Sequence, residues 1–283
     1  MHSEHQLADF ITNALAEDIG DGDHSTLASI DPAAKGRAVL KIKEDGVLAG
    51  VAVAEKIFGH MEPGVEFIAS KKDGDVMVKG EQAFEVLAKV HTILQCERLV
   101  LNTMQRMSGI ATLTNQYTVK LKGFKTKLLD TRKTTPNFRL LEKEAVRLGG
   151  GQNHRFGLYD MIMLKDNHID YCGGIEQAIE KAAEYVRTVK PGLKIEVETR
   201  SIDDVKKVVN TGKVDRIMLD NFTPQLIIEA LTIIDRRYET EASGGINLEN
   251  LLDYAATGVD YISSGSVIHQ ARSLDLSLKA VIL

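Results

Sequence analysis

Cysteine is scarce: Cys96 and Cys172 are the only two, too few and too far apart for a disulfide framework or a cysteine zinc cage. That scarcity agrees with a reducing compartment and predicts two free thiols. No apolar run approaches the ~20 residues that a membrane span needs, and the opening MHSEHQLADF has neither a basic leader nor an apolar stretch. A cytoplasmic protein without a membrane partner is expected. Polar tracts and low-complexity repeats are missing too, which predicts a globular chain with disorder confined to its ends. Positive charge is in deficit, the net charge being −5. The surface as a whole should therefore repel nucleic acid and anionic membrane, and any anion site must be local.

What is present suffices for a sizeable core: 43% hydrophobic and 27% charged residues over 283 positions, enough for one barrel-sized unit plus a smaller partner. Residues 6–18 read as an amphipathic helix with Leu7, Phe10, Ile11, Ala14 and Leu15 at helical spacing. The following EDIGDGDHST reads as a turn. As a calcium loop it fails, because the sixth position from Asp21 is Thr26 rather than glycine and the twelfth is Pro32 rather than glutamate. From Gly36 to Val90, the valine-rich segments RAVLKIK, VLAGVAV, VEFIASKKDGDVMVKG and AFEVLAKV alternate with Asp-Gly, Pro-Gly and Lys-Gly turns. They predict a small, mostly β domain with one helix near residues 52–60. A helix over 93–107 should bury Cys96, Leu99, Val100, Thr103, Met104 and Met107, with Arg98, Asn102 and Gln105 on another face.

Beyond Gly109 helices alternate with six short apolar strand candidates: TKLLD, DMIML, LKIEVE, DRIMLD, YETEAS and DYISSG. The last four recur every ~20 to 25 residues, the length of a βα unit, so a parallel, closed or nearly closed barrel is expected. In that architecture chemistry belongs at the C-terminal strand ends. Those ends carry Asp130 to Lys133, Lys165 to His168, Glu196 and Glu198, Asp220 and Asn221, Ser243 to Gly245, and Ser264 to Ser266.

Arg132, Lys133, His154, Arg155 and Lys165 cluster in an otherwise acidic protein, which implies a ligand with several negative charges. Arginine suits a planar carboxylate, lysine a phosphate or pyrophosphate. The turns Ser243-Gly244-Gly245 and Ser264-Gly265-Ser266 follow the last two strands, where many barrels hold a phosphate. Glu198 and Asp220 could hold a divalent cation, ribose hydroxyls or a developing positive charge; alternatively Glu198 is a strand-end charge paired with Lys165 or Arg132. Magnesium is favoured over zinc, because no nearby histidine or cysteine has metal-ligand spacing. Thr135 and Pro136 should start a helix that ends at Gly149-Gly150-Gly151, letting Asn153-His154-Arg155 swing close to the ligand.

The run DTRKTTPNFRLLEKEAVRLGGGQNHRFGLYDMIMLKDNHI closely resembles the central signature of the quinolinate phosphoribosyltransferases. The resemblance continues through IEVET, IMLDNF, EASGGI and TGVDYISSG, and includes EDIGDGDHST and ERLVLNTMQRMSGIAT, so it spans nearly the whole chain. It implies an incomplete parallel α/β barrel, residues 109–268, with a smaller N-terminal α+β domain, residues 1–108, on which the tail 269–283 packs back. It also implies transfer of phosphoribosyl from phosphoribosyl pyrophosphate to quinolinate with decarboxylation, a magnesium requirement, and a homodimer or higher homo-oligomer with shared sites. By match to the family's motifs, Arg132, His154, Arg155 and Lys165 would surround the two carboxylates of quinolinate, joined by Arg98 of a neighbouring subunit. Lys133 would meet the phosphates, Glu198 and Asp220 the metal and ribose, and Ser243, Gly244, Gly245 and Gly265, with Ser264 in the same turn, the 5-phosphate. Lys133, Lys165, Glu198 and Asp220 form the catalytic set on this reading. Two positions depart from the pattern. Asn137 stands where the family commonly has glycine, and AKVHTILQCER lacks the usual Gly-Pro; both concern loop conformation. The rivals are a related enzyme acting on another pyridine carboxylate and a non-catalytic barrel that binds a phosphorylated metabolite.

Overall fold

The computed structural model describes residues 2–281. They divide into two compact units, one of residues up to 115 with 134–150 and 267 onward, the other of 116–133 and 151–266. The division differs from the boundary expected at residue 108. The helix Val90–Lys120 runs unbroken through that point, because Gly109 is no helix breaker: a side chain there would sit 1.9 Å from the Arg272 carbonyl oxygen. Close approach of the C-terminal segment, not a turn, calls for the glycine. The segment 134–150, expected with the barrel, belongs instead to the first unit.

In the first unit, a four-stranded antiparallel sheet has Lys35–Ile42 at its centre, paired with Gln82–Lys89 on one side and Leu276–Val281 on the other. The C-terminal strand thus closes the sheet on the N-terminal domain; Ile282 and Leu283 of the tail lie outside the described residues. Of VLAGVAV only its first residue is strand, at the end of Gly46–Val47. Gly50 then turns with φ of 100° and the helix Val51–Met61 begins, since the Asp73 carboxylate accepts the otherwise orphaned amides of Gly50, Val51 and Ala52. Residues 6–18 lie within the helix His2–Ile19, which buries Ile11 and Leu15. EDIGDGDHST turns and enters a short helix capped by Asp23. Along Val90–Lys120, Cys96, Val100, Thr103, Met104 and Met107 are buried and Leu99 partly so, while Arg98 and Asn102 are exposed. Both cysteines are free thiols, and burial pushes Cys96 up to about 12.

The helix expected from Thr135 and Pro136 starts later, at Arg139, and runs to Leu148. The Thr135 amide and hydroxyl are already committed to the fully buried Glu142, which also accepts two hydrogen bonds from Arg106 at 2.9 and 3.0 Å. Asn137 adopts φ of 61°, the left-handed region that glycine occupies freely and asparagine tolerates, which accounts for the departure from glycine there. Gly149 ends the helix and also packs against the long helix, where a side chain would lie 2.4 Å from the Ala111 carbonyl.

The second unit contains all six expected strands in one parallel sheet: Lys127–Leu129, Ile162–Leu164, Ile195–Thr199, Arg216–Asp220, Glu239–Ser243 and Tyr261–Ser263. Their spatial order is first, sixth, fifth, fourth, third, second. Among the described residues no ladder joins the first strand to the second, so the sheet curls into an incomplete barrel that stays open between them. Helices Ile175–Thr188, Ile202–Thr211 and Pro224–Ile234 cover it, burying Ile179, Val205, Val208, Ile227 and Ala230 against the outward-facing strand residues. Strand residues alternate by face. Ile195, Val197 and Thr199 face those helices, which leaves Glu196 and Glu198 facing the barrel interior.

Candidate active site

The interior is layered by strand register. Arg216 lies opposite Glu196 and Glu239, Met218 opposite Glu198 and Glu241, and Asp220 opposite Ser243. Charges at alternate strand positions thus stack along the barrel axis, with Glu198 in the layer of Met218 and Glu241 and Asp220 one layer above it at the strand ends. Glu198 is almost buried, and its Oε2 accepts a hydrogen bond from Lys165 Nζ at 2.7 Å. This is the ion pair that the sequence offered as an alternative to a ligand-binding role for Glu198. Asp220 is raised above its ordinary value, first by burial and then by Glu198, against the pull of a Ser243 hydrogen bond and the charges of Lys165 and Lys133. Glu198, Asp220, Lys165, Lys133 and Ser243 therefore share one electrostatic neighbourhood.

The cations are set by the ends of the first two strands. Asp130 is fully buried and accepts the His154 amide at 2.8 Å and the Asn153 side-chain amide at 2.7 Å, fixing the segment after the triple glycine. The Arg155 guanidinium donates to the Met161 carbonyl at 3.2 Å. Its pKa is lowered by burial and by the adjacent Arg132, the mark of two like charges held together in a partly desolvated place. Lys133 is exposed on the loop that follows. In KDNH the His168 ring accepts the Lys165 amide at 3.1 Å, a local cap for the helix Asp166–Cys172.

His154 is placed differently from the expectation. It is buried inside the barrel, with Nε2 at 3.0 Å from Glu196 and 3.1 Å from Glu241, and Nδ1 accepts the Arg155 amide at 2.7 Å. Nδ1 is engaged by a backbone amide and Nε2 faces the two buried carboxylates, so the ring points into the barrel interior. Among the described residues, His154, Glu196 and Glu241 form the one group of three or more histidine, cysteine or carboxylate side chains with ligand atoms within 4.8 Å of one another. The fold thus brings together what sequence spacing did not show, although the group's counter-cation is already supplied by Arg216, 3.1 Å from Glu241 and 4.0 Å from Glu196. Glu241 and Arg216 were missed as site residues. Their sequence signal was the period-two charge in ETEAS and DRIMLD.

The two glycine turns have distinct constructions. Gly244 and Gly245 adopt φ of 98° and 63°, and a side chain on Gly244 would collide with Asn221, 2.2 Å from Oδ1 and 2.9 Å from the amide nitrogen. Ser264 is buried with its hydroxyl donating to the Ile246 carbonyl at 2.9 Å and lying 2.6 Å from Ser266 Oγ, so it ties one turn to the other instead of presenting its hydroxyl. Arg98 belongs to the other unit, exposed on the long helix, with no ion pair among the described residues.

Fold and rim together define an α/β-barrel protein whose strand ends gather arginine, lysine and carboxylate side chains beside glycine-rich turns. Family models for the N-terminal and C-terminal domains of quinolinate phosphoribosyl transferase match residues 23–108 and 110–279, and the chain belongs to that family. It is 43% identical to quinolinate phosphoribosyltransferase [decarboxylating] 1 of Nicotiana glauca, over 98% of this chain and 83% of that protein. It is 42% identical to the probable nicotinate-nucleotide pyrophosphorylase [carboxylating] of Bacillus subtilis, over 96% and 93%. Among solved structures, NadC from Streptococcus pyogenes superposes with a TM-score of 0.92 at 42% identity, covering 99% of this chain and 98% of that one.

Proposed function

We propose that this chain transfers the phosphoribosyl group of phosphoribosyl pyrophosphate to quinolinate and releases carbon dioxide, giving nicotinate mononucleotide and pyrophosphate for NAD synthesis. The observation that carries this reading is the rim: Arg132 beside Arg155, and Lys165 paired with Glu198 next to Asp220. Neighbouring guanidiniums suit two adjacent carboxylates on one ring. Lys133 serves the donor's phosphates, and Ser243, Gly244, Gly245 and Gly265 offer backbone room for the 5-phosphate.

The ring nitrogen of quinolinate attacks C1 of the donor while the C1–O bond breaks and its electron pair leaves on pyrophosphate. Positive charge grows on the ribose in the transition state, where Glu198 and Asp220 stabilise it by preorganised charge. Once alkylated, the nitrogen draws electrons. The bond to the adjacent carboxylate then breaks, carbon dioxide leaves, and the ring carbon takes a proton.

Glu198 and Asp220 are an all-oxygen donor pair in which Asp220 is raised first by burial and then by the charge of Glu198, and this fits magnesium with retained waters. Held there, magnesium would neutralise phosphate charge on the donor. Pyrophosphate release should therefore require both quinolinate and magnesium, stop on adding chelator, and resume when magnesium is restored. Release that ignores quinolinate would contradict the reaction, and full activity in chelator would contradict the metal role.

The reading includes a cytoplasmic homodimer or larger homo-oligomer in which the exposed Arg98 completes a partner's site. Arg98→Ala and Lys165→Ala proteins should each be inactive, yet a mixed dimer holds one site with both residues intact. Refolding the two together should restore part of the activity. A dead mixture, with wild type recovering from the same treatment, would contradict sharing.

A further inference from the structure

The barrel interior beneath the rim holds a column of buried charge that neither the reaction nor the ligand needs for contact. Arg216 stacks over Tyr261, 4.3 Å from the ring centre, and donates to Glu239 at 3.0 Å and to Glu241 at 3.1 Å. Glu241 is completely buried. It stays below its ordinary value despite that burial, because His154 and Ser263 hydrogen-bond to it and Arg216 lies beside it. Glu196, equally buried, lies 3.0 Å from His154 and comes from the strand beyond Arg216–Asp220. The ring that both carboxylates grip takes the Arg155 amide on its other nitrogen. Burying such charges is costly, and packed apolar side chains of similar volume would serve stability as well or better. Barrel interiors are commonly filled that way. What the charges add is a restraint on the ring plane: with Nε2 held 3.0 and 3.1 Å from carboxylates on two different strands, the imidazole is drawn toward both, and Nδ1 accepts one backbone amide.

We propose that Glu241 and Glu196 are positioning residues that, acting through the His154 ring, hold Arg155 in register for a substrate carboxylate. His154 is a strut between the charged interior and the rim. The proposal rests on the function given above, with Arg155 as a carboxylate ligand. It predicts a loss confined to one substrate, because the 5-phosphate turns and Lys133 are supported separately, by Asn221 against Gly244 and by the Thr131 hydroxyl under the Lys133 amide.

The test is a double-mutant cycle on the full chain with Glu241→Gln, His154→Gln and the double variant, measuring KM for each substrate and calorimetric binding of quinolinate alone. Each single variant should raise the quinolinate KM by about ten- to a hundredfold, the scale of a misplaced positioning contact, with the donor KM changed less than about twofold. Because both residues act along one line, the double variant should be no worse than the worse single. Multiplying effects, or a donor KM that rises in step, would overturn the proposal, as would unchanged quinolinate binding. Should Glu241→Gln fail to fold, Glu196→Gln removes the other Nε2 partner and replaces it in the same comparison. A wild type inert toward quinolinate would remove the function and this proposal together, whereas an active wild type with variants of unchanged KM would overturn the proposal alone.

Discussion

Lys165→Ala is expected to lower kcat/KM by roughly 30- to 5,000-fold, the equivalent of about 2 to 5 kcal/mol for removing a charged contact to a bound anion. Lys165 Nζ lies 2.7 Å from Glu198, and its charge reaches Asp220. Without it two carboxylates face each other with only Lys133 nearby, and the ligand loses a cation. Fold should be spared, since the Lys165 side chain is 44% exposed. Arg132→Ala should behave alike. Steady-state kinetics beside a thermal melt check both halves, and wild-type turnover in either variant would contradict the site.

Glu142→Ala is expected to cost about 3 to 5 kcal/mol of stability, the range for stripping one partner from a buried ion pair. Glu142 is wholly buried and accepts four hydrogen bonds, two from Arg106 and two from Thr135. Arg106 also donates to the Ile268 and Ala271 carbonyls, so one carboxylate organises the long helix, the loop before Arg139 and the start of the tail. Glu142→Gln should cost less, because it keeps the shape and one carbonyl acceptor. Urea unfolding measures both, and a Glu142→Ala loss under about 1 kcal/mol, the scale of an exposed pair, would contradict the role given to this cluster.

The six barrel strands were legible because each is a short apolar run between turn residues at βα spacing, and period and length alone suffice for that. The long helix was cut short at Gly109 because a sequence does not say whether a glycine ends a helix or admits a neighbour. In VLAGVAV, β-branched residues favoured a strand, whereas the Asp73 carboxylate, distant in sequence, caps a helix there. For Glu198, residue type left metal ligand and ion pair open; the structure shows the pair with Lys165. His154 was read as a rim cation, since NHR gives no sign that two carboxylates from separate strands enclose the ring. Local pattern carried the scaffold, and long-range side-chain partners carried what was missed.

The central claim is most directly tested by supplying quinolinate labelled in the carboxylate next to the ring nitrogen, with phosphoribosyl pyrophosphate and magnesium, and counting labelled carbon dioxide against nicotinate mononucleotide. Equal amounts of the two, with no nucleotide when nicotinate replaces quinolinate, is the predicted result. Nucleotide from nicotinate but none from quinolinate would contradict it.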